Sequence, residues 1–182
     1  MRNSLNIKKS GMASTMKIIQ ISSAPENYIL KQLYSLNQDH AHYLTNLPSE
    51  SELSKLIELS HTCIYALSDD EVVGFVICFR EKSKHHSVNY KFFNDREDRF
   101  IYVDRIAIKE NHGRRGLGSG LYKELYKLSS LKQLPICCEV YTLPLNQVSL
   151  NFHYKNGFKA VGKHDFDNYS VEYLKRHFNN KV

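Results

Sequence analysis

The chain has 182 residues, 42% of them hydrophobic and 24% charged, which suits one well-buried soluble core and is too short for two ordinary domains. No apolar run approaches the roughly 18 residues that span a bilayer, and no apolar segment follows Arg2, Lys8 and Lys9, so neither a membrane anchor nor a secretory leader is expected and the protein is assigned to the cytoplasm. The net charge of +6 raises nucleic acid as a partner, but the densest basic clusters are only residues 80–84 and Arg114 with Arg115, without helix-turn-helix or zinc-finger spacing, so an anionic small ligand is the better expectation.

Residues 1–16 read as a polar tail, with Met12 or Met16 as alternative starts, and residues 17–180 as one domain. Residues 17–22 form a first weak strand. A helix opening at Pro25 presents Ile29, Leu33, Leu36, His40 and Tyr43 on one face. A second helix follows Pro48, with Ser49 as N-cap, Glu52 completing a capping box, and Leu53, Leu56, Ile57 and Ser60 as its buried stripe. Residues 62–68 and 72–80 are strand-like runs joined by Asp69-Asp70-Glu71, a hairpin signal. Residues 81–99 form a polar loop with an aromatic island, Asn89-Tyr90-Lys91-Phe92-Phe93, which is expected to dock on its own domain ahead of covering a ligand.

An apolar strand over 100–108 then runs into Gly113-Arg114-Arg115-Gly116-Leu117-Gly118-Ser119-Gly120, and Leu121, Leu125 and Leu128 recur as on one helix face. Such a turn aims backbone N–H groups and the positive end of a helix dipole at one point, where a phosphate or diphosphate fits. Lys and Ser/Thr do not follow the last glycine as in a nucleotide-binding P-loop, and the glycines alternate late in the chain, unlike a dinucleotide fingerprint. The helix ends near Leu131-Lys132-Gln133, before Pro135. Residues 136–142 form a strand parallel to the one before, since a helical crossover joins them. A short helix over 146–156 and an antiparallel pair, 158–161 with 170–174, complete the chain.

The segment from Gly113 to Gly118 resembles the coenzyme A diphosphate loop of the GNAT acetyltransferase superfamily, Q/R-x-x-G-x-G/A, with Gly113 standing where Arg or Gln is usual. The stretch from Asn146 to Gly157-Phe158 is similar to the late GNAT element in which an Asn opens a helix and Gly-Phe closes it. Tyr102-Val103-Asp104-Arg105-Ile106 and the aromatic stretch before it resemble a bacterial branch of the superfamily. The resemblance implies an α/β fold: a mixed sheet of about six to seven strands, helices on both faces, and a splayed parallel pair at the cofactor. It further implies acetyl-CoA as cosubstrate, a small-molecule or protein amine as acceptor, an acceptor pocket built partly by the first two helices, and edge pairing into a homodimer as an open option. No metal is implied.

By the same resemblance, Ile106, Ala107 and Ile108 bind pantetheine through their main chain, Gly113, Arg114, Arg115, Gly116, Leu117, Gly118 and Ser119 hold the diphosphate, and Asn146 contacts the cofactor near its thiol, unless it is a plain N-cap. Acetyl transfer to an amine needs a base, an oxyanion stabiliser and a proton for the departing thiolate. The family's acid is often a tyrosine seven residues after the asparagine. Here His153 holds that place and Tyr154 follows, so His153 is assigned the acid role with Tyr154 as alternate. Carboxylates in apolar strands are candidate bases, because burial raises their pKa. Glu139 comes first, and Asp104 second, with an ion pair to a neighbouring arginine as its structural alternative. Cys63, Cys78, Cys137 and Cys138 lack zinc-ligand spacing and read as reduced, buried thiols, with Cys138 kept as a minor nucleophile candidate. A CoA-binding sensor without chemistry remains the alternative to an enzyme.

Overall fold

The computed structural model describes residues 16–113 and 116–178. Strand β1 (Met16–Ile21) leads into helix α1 (Asn27–Asp39), the one-turn helix α2 (Ala41–Leu44) and helix α3 (Glu50–Leu59). Ser49 caps α3: its side chain accepts from the Glu52 amide at 3.3 Å, satisfying a donor that the first turn leaves without an intrahelical partner. The hairpin of β2 (Thr62–Ser68) and β3 (Glu71–Arg80) turns on Asp69 and Asp70, whose φ of 49° and 65° suits the right-handed twist of the flanking strands.

The expected face of the first helix breaks at its end. Leu33 and Leu36 are buried, joined by Leu30 and Asn37, but α1 stops at Asp39, so that His40 caps it and Tyr43 belongs to α2. The His40 ring helps end the helix, with Nδ1 donating to the Leu36 carbonyl at 3.1 Å. A second difference lies in residues 81–99, which contain helix α4 (Val88–Asn94) rather than loop alone, capped by the Ser87 hydroxyl accepting from the Tyr90 amide. Its buried residues Asn89, Tyr90 and Phe93 make a stripe too short to stand out in a polar stretch. Tyr90 and Phe93 are 1% exposed, so the aromatic island packs on its own domain.

Strand β4 (Ile101–Ile108), a 3-10 turn at Glu110–His112, helix α5 (Leu117–Lys132), strand β5 (Ile136–Leu143), helix α6 (Gln147–Lys155), and strands β6 (Lys159–Asp165) and β7 (Ser170–Arg176) follow. The seven strands form one sheet in the order β1-β2-β3-β4-β5-β7-β6, in which only β4 and β5 are parallel neighbours. One apolar core lies between the sheet and α1, α3 and α4, the other between the sheet and α5 and α6. Among the described residues no helix is long and apolar enough to cross a membrane.

Candidate functional site

The parallel pair opens after three residues. Ile101, Tyr102 and Val103 of β4 face Ile136, Cys137 and Cys138 of β5, and the register goes no further, although β4 stays on β3 as far as Ile108 and β5 stays on β7 as far as Leu143. Each strand therefore turns a backbone edge into the gap, β4 with Ile106, Ala107 and Ile108 and β5 with the residues after Cys138.

Beside the gap, α5 begins at Gly116, whose φ of 82° only glycine adopts without strain. The first intrahelical bond from this start is Gly120 N–H to the Gly116 carbonyl, so the amides of Leu117, Gly118 and Ser119 have no acceptor within the helix. The start of the helix is open: a Cβ added at Gly116 or Gly118 meets no described atom within 4 Å beyond its chain neighbours and the helix's own backbone. Gly113 differs from expectation, because its amide is spent on the Glu110 carbonyl at 3.0 Å by the tight 3-10 turn. Arg114 and Arg115 lie outside the described residues.

At the gap a cavity of about 100 Å³ is lined by Asp104 and Glu139, by Tyr122, Asn146 and His153, and by His40 and Tyr43 of the α1–α2 corner. Asp104 is the extra residue of a β-bulge, since Ile77 of β3 faces Arg105 and Cys78 faces Val103. The bulge interrupts the alternation that would set Asp104 on the face of Ile106 and Arg105 opposite. Asp104 Oδ1 lies 2.7 Å from His85 Nε2, just ahead of α4, while Arg105 Nη1 donates to Asn37 Oδ1 in α1 and to the carbonyls of Leu44 and Thr45 at 2.8, 2.6 and 3.1 Å. Ile106 packs on the opposite core. The arginine partner expected for Asp104 is Arg105, with Nε 3.2 Å from Oδ2, a charge contact without hydrogen-bond geometry.

Glu139 sits deeper. Its carboxylate accepts from the Tyr102 hydroxyl at 2.7 Å and Asn89 Nδ2 at 3.1 Å, and Asn89 Oδ1 in turn accepts from the Tyr173 hydroxyl at 3.0 Å. Burial dominates over these hydrogen bonds and, with the Asp104 charge adding, pushes its pKa up to about 8. A carboxyl poised there near neutrality can both take and return a proton.

His153 also reaches the cavity, but both ring nitrogens are engaged. Nδ1 donates to the Ser149 carbonyl at 2.7 Å, which leaves Nε2 to accept from the Tyr122 hydroxyl at 2.6 Å. Burial lowers its pKa to about 4, so the ring is neutral at physiological pH. Tyr154, one residue on, is rotated by the helix onto the exposed side, where its hydroxyl bonds Glu172, and it does not line the cavity. Asn146 serves as N-cap, accepting from the Ser149 amide at 3.1 Å, and lines the cavity as well. Cys138 is on the wall too, but burial raises its thiol well above the ordinary range and leaves it a poor nucleophile.

Tyr122 and Tyr141 line the site without having been singled out from the sequence, and Tyr43 stands out there only as part of a helix face. Only the inward position of Tyr122, next to Leu121 and three before Leu125, hinted that it is buried. A split parallel pair beside a glycine-led helix start, in a mixed sheet with helices on both faces, defines the α/β architecture of the chain. The model of the acetyltransferase (GNAT) family matches residues 28–158, and the chain belongs to that family. Similar solved structures include Arabidopsis thaliana NAA60 in complex with a bisubstrate analogue (16% identity, 91% of this chain and 100% of that chain, TM-score 0.67). Others are Ard1 from Thermoplasma volcanium (18%, 91% and 99%, TM-score 0.65) and the NatC complex bound to Gag peptide and CoA (14%, 90% and 99%, TM-score 0.62). At these identities the likeness is one of fold. No curated protein matches the chain in sequence.

Proposed function

We propose that this protein transfers the acetyl group of acetyl-CoA to a primary amine by direct attack in a ternary complex. The observation that carries the reading is the opening between β4 and β5, with the start of α5 beside it and the carboxylate of Glu139 inside. The amides of Leu117, Gly118 and Ser119 take the diphosphate, Arg114 and Arg115 add charge, and Gly113 contributes the shape of the turn rather than a donor. The main chain of Ile106, Ala107 and Ile108 pairs with the pantetheine amides as an added strand, and Asn146 stands by the thiol end. Glu139 receives the acceptor's proton, directly or through water, and Asp104 keeps a second negative charge beside it.

The leaving sulfur falls to Tyr122. Its hydroxyl rests on His153 Nε2 and turns to the sulfur as negative charge builds there, because an ionised acceptor makes the stronger hydrogen bond. His153 thus acts through Tyr122 as a positioning residue, and the released thiolate is protonated from solvent. Tyr122→Phe is expected to lower kcat by about 10- to 100-fold with little change in either KM, measured by thiol release.

Ser119→Asp tests the cofactor seat. A carboxylate in the first turn suits the helix dipole, so the fold is retained, but it repels the diphosphate. The affinity for CoA by calorimetry is expected to fall about tenfold or more, equivalent to about 1.4 kcal/mol, with the melting temperature unchanged or raised. Unaltered affinity would remove the seat, and the mechanism with it. The sensor reading draws on histidine standing where the family often has tyrosine. Heat with CoA but no thiol release with any amine selects it.

A further inference from the structure

We infer that the acceptor is a linear aliphatic diamine or polyamine, an inference that rests on the acetyl-transfer reading above. The cavity offers such a molecule two carboxylates, Asp104 and Glu139, and no lysine or arginine among its described lining. The nearest guanidinium, that of Arg105, is spent on Asn37, Leu44, Thr45 and Asp104. An acceptor carrying a carboxylate or phosphate near its amine therefore finds no free counter-charge, only the Asp104 carboxylate and a Glu139 carboxyl that becomes a second like charge as pH approaches about 8. The net +6 of the whole chain does not reverse this, since exposed charges more than about 8 Å away are largely screened at physiological salt.

The rim supplies the second argument. Tyr43 and Tyr141 flank the cavity with ring centroids 6.0 Å apart, Tyr169 stacks on Tyr141 at 5.1 Å, and Phe166 stacks on Tyr169 at 4.2 Å. Half-buried aromatic faces attract an ammonium group and also cover a methylene chain. A second cationic nitrogen at the far end of the acceptor meets these rings while the first reaches Glu139. The third argument is width. The cavity holds about 100 Å³, and the Tyr43 ring that lines it is tied by its hydroxyl to the Leu145 carbonyl at 3.4 Å, so an unbranched chain is favoured. In the reaction the C–S bond of the thioester breaks and a C–N bond forms. An ammonium and acetyl-CoA become an amide, the free thiol and one released proton.

The test uses the whole protein with acetyl-CoA and three acceptors that share one chain length: 1,6-diaminohexane, hexylamine and 6-aminohexanoate. Their far ends are cationic, neutral and anionic. The diamine is expected to exceed 6-aminohexanoate by about tenfold or more in kcat/KM, with hexylamine between, and Tyr169→Leu to raise the diamine KM by about threefold without changing the KM for acetyl-CoA. Equal turnover of the diamine and 6-aminohexanoate overturns the inference and leaves acetyl transfer standing. So does a short peptide with a free N-terminus that outpaces every diamine and spermidine. Binding of CoA with no amine acetylated removes the transfer reading and this inference together.

Discussion

In Glu139→Gln, kcat falls by about a hundredfold or more, and what activity is left no longer climbs with pH. The direction follows from the burial of the carboxyl, which pushes its pKa up to about 8. At pH 6 the folded protein holds Glu139 mostly protonated, so the base form grows about tenfold per pH unit until it levels off above pH 8. The same group affects stability with a definite sign. The folded chain keeps this proton between the ordinary glutamate value of 4.5 and about 8, where the unfolded chain has lost it, so stability decreases as pH rises through that window and levels beyond it. Glutamine removes the slope. It also puts an amide NH2 where one carboxylate oxygen accepted, so either Asn89 Nδ2 or the Tyr102 hydroxyl, both donors to Glu139, loses its acceptor and the variant starts with a mismatched contact. The melting temperature of the variant relative to the parent should therefore rise between pH 5 and about 8 and level off above that, whatever its offset. A variant that retains the parent's pH–rate profile shows that the base is another group.

That Glu139 was visible in the sequence at all has a physical reason. A carboxylate between Cys138 and Val140 in a strand can be buried only at a cost, and the same holds for Asp104 between Val103 and Arg105; both line the cavity. The hairpin at Asp69 and Asp70 and the cap at Ser49 were legible because turn and cap chemistry are local. What escaped was set by contacts far apart in the chain. The bulge at Asp104 leaves no compositional mark, since it is a register relation to Ile77 and Cys78. The state of His153 depends on Tyr122, 31 residues away on another helix, and on a carbonyl that no pattern reveals. Helix α4 hides in a polar stretch because its three inward residues pack against distant strands, Tyr90 meeting Tyr102 at 5.5 Å between ring centroids.

Arg105→Leu is expected to lower stability by about 3 kcal/mol or more, because it leaves the buried Asp104 carboxylate without its guanidinium and three acceptors without their donor. For a chain of this size that is a drop of roughly 6–12 °C in melting temperature. The loss is not spread evenly. Two of the three acceptors are the carbonyls of Leu44 and Thr45, at the end of a one-turn helix that buries none of its own residues, and Thr45 is held at a φ of 64°. A segment with so little packing of its own depends on the anchor behind it. Hydrogen exchange at residues 41–46 should accelerate more than in β4 itself, and because Tyr43 rides on this segment, the KM for the amine should rise more than the KM for acetyl-CoA. Arg105→Lys retains charge beside Asp104 but presents no planar fork, so it should restore stability only in part and leave the exchange at 41–46 fast. If the leucine variant melts with the parent and protects these amides equally, the corner is held by other contacts, and Arg105 has no part in shaping the acceptor side of the cavity.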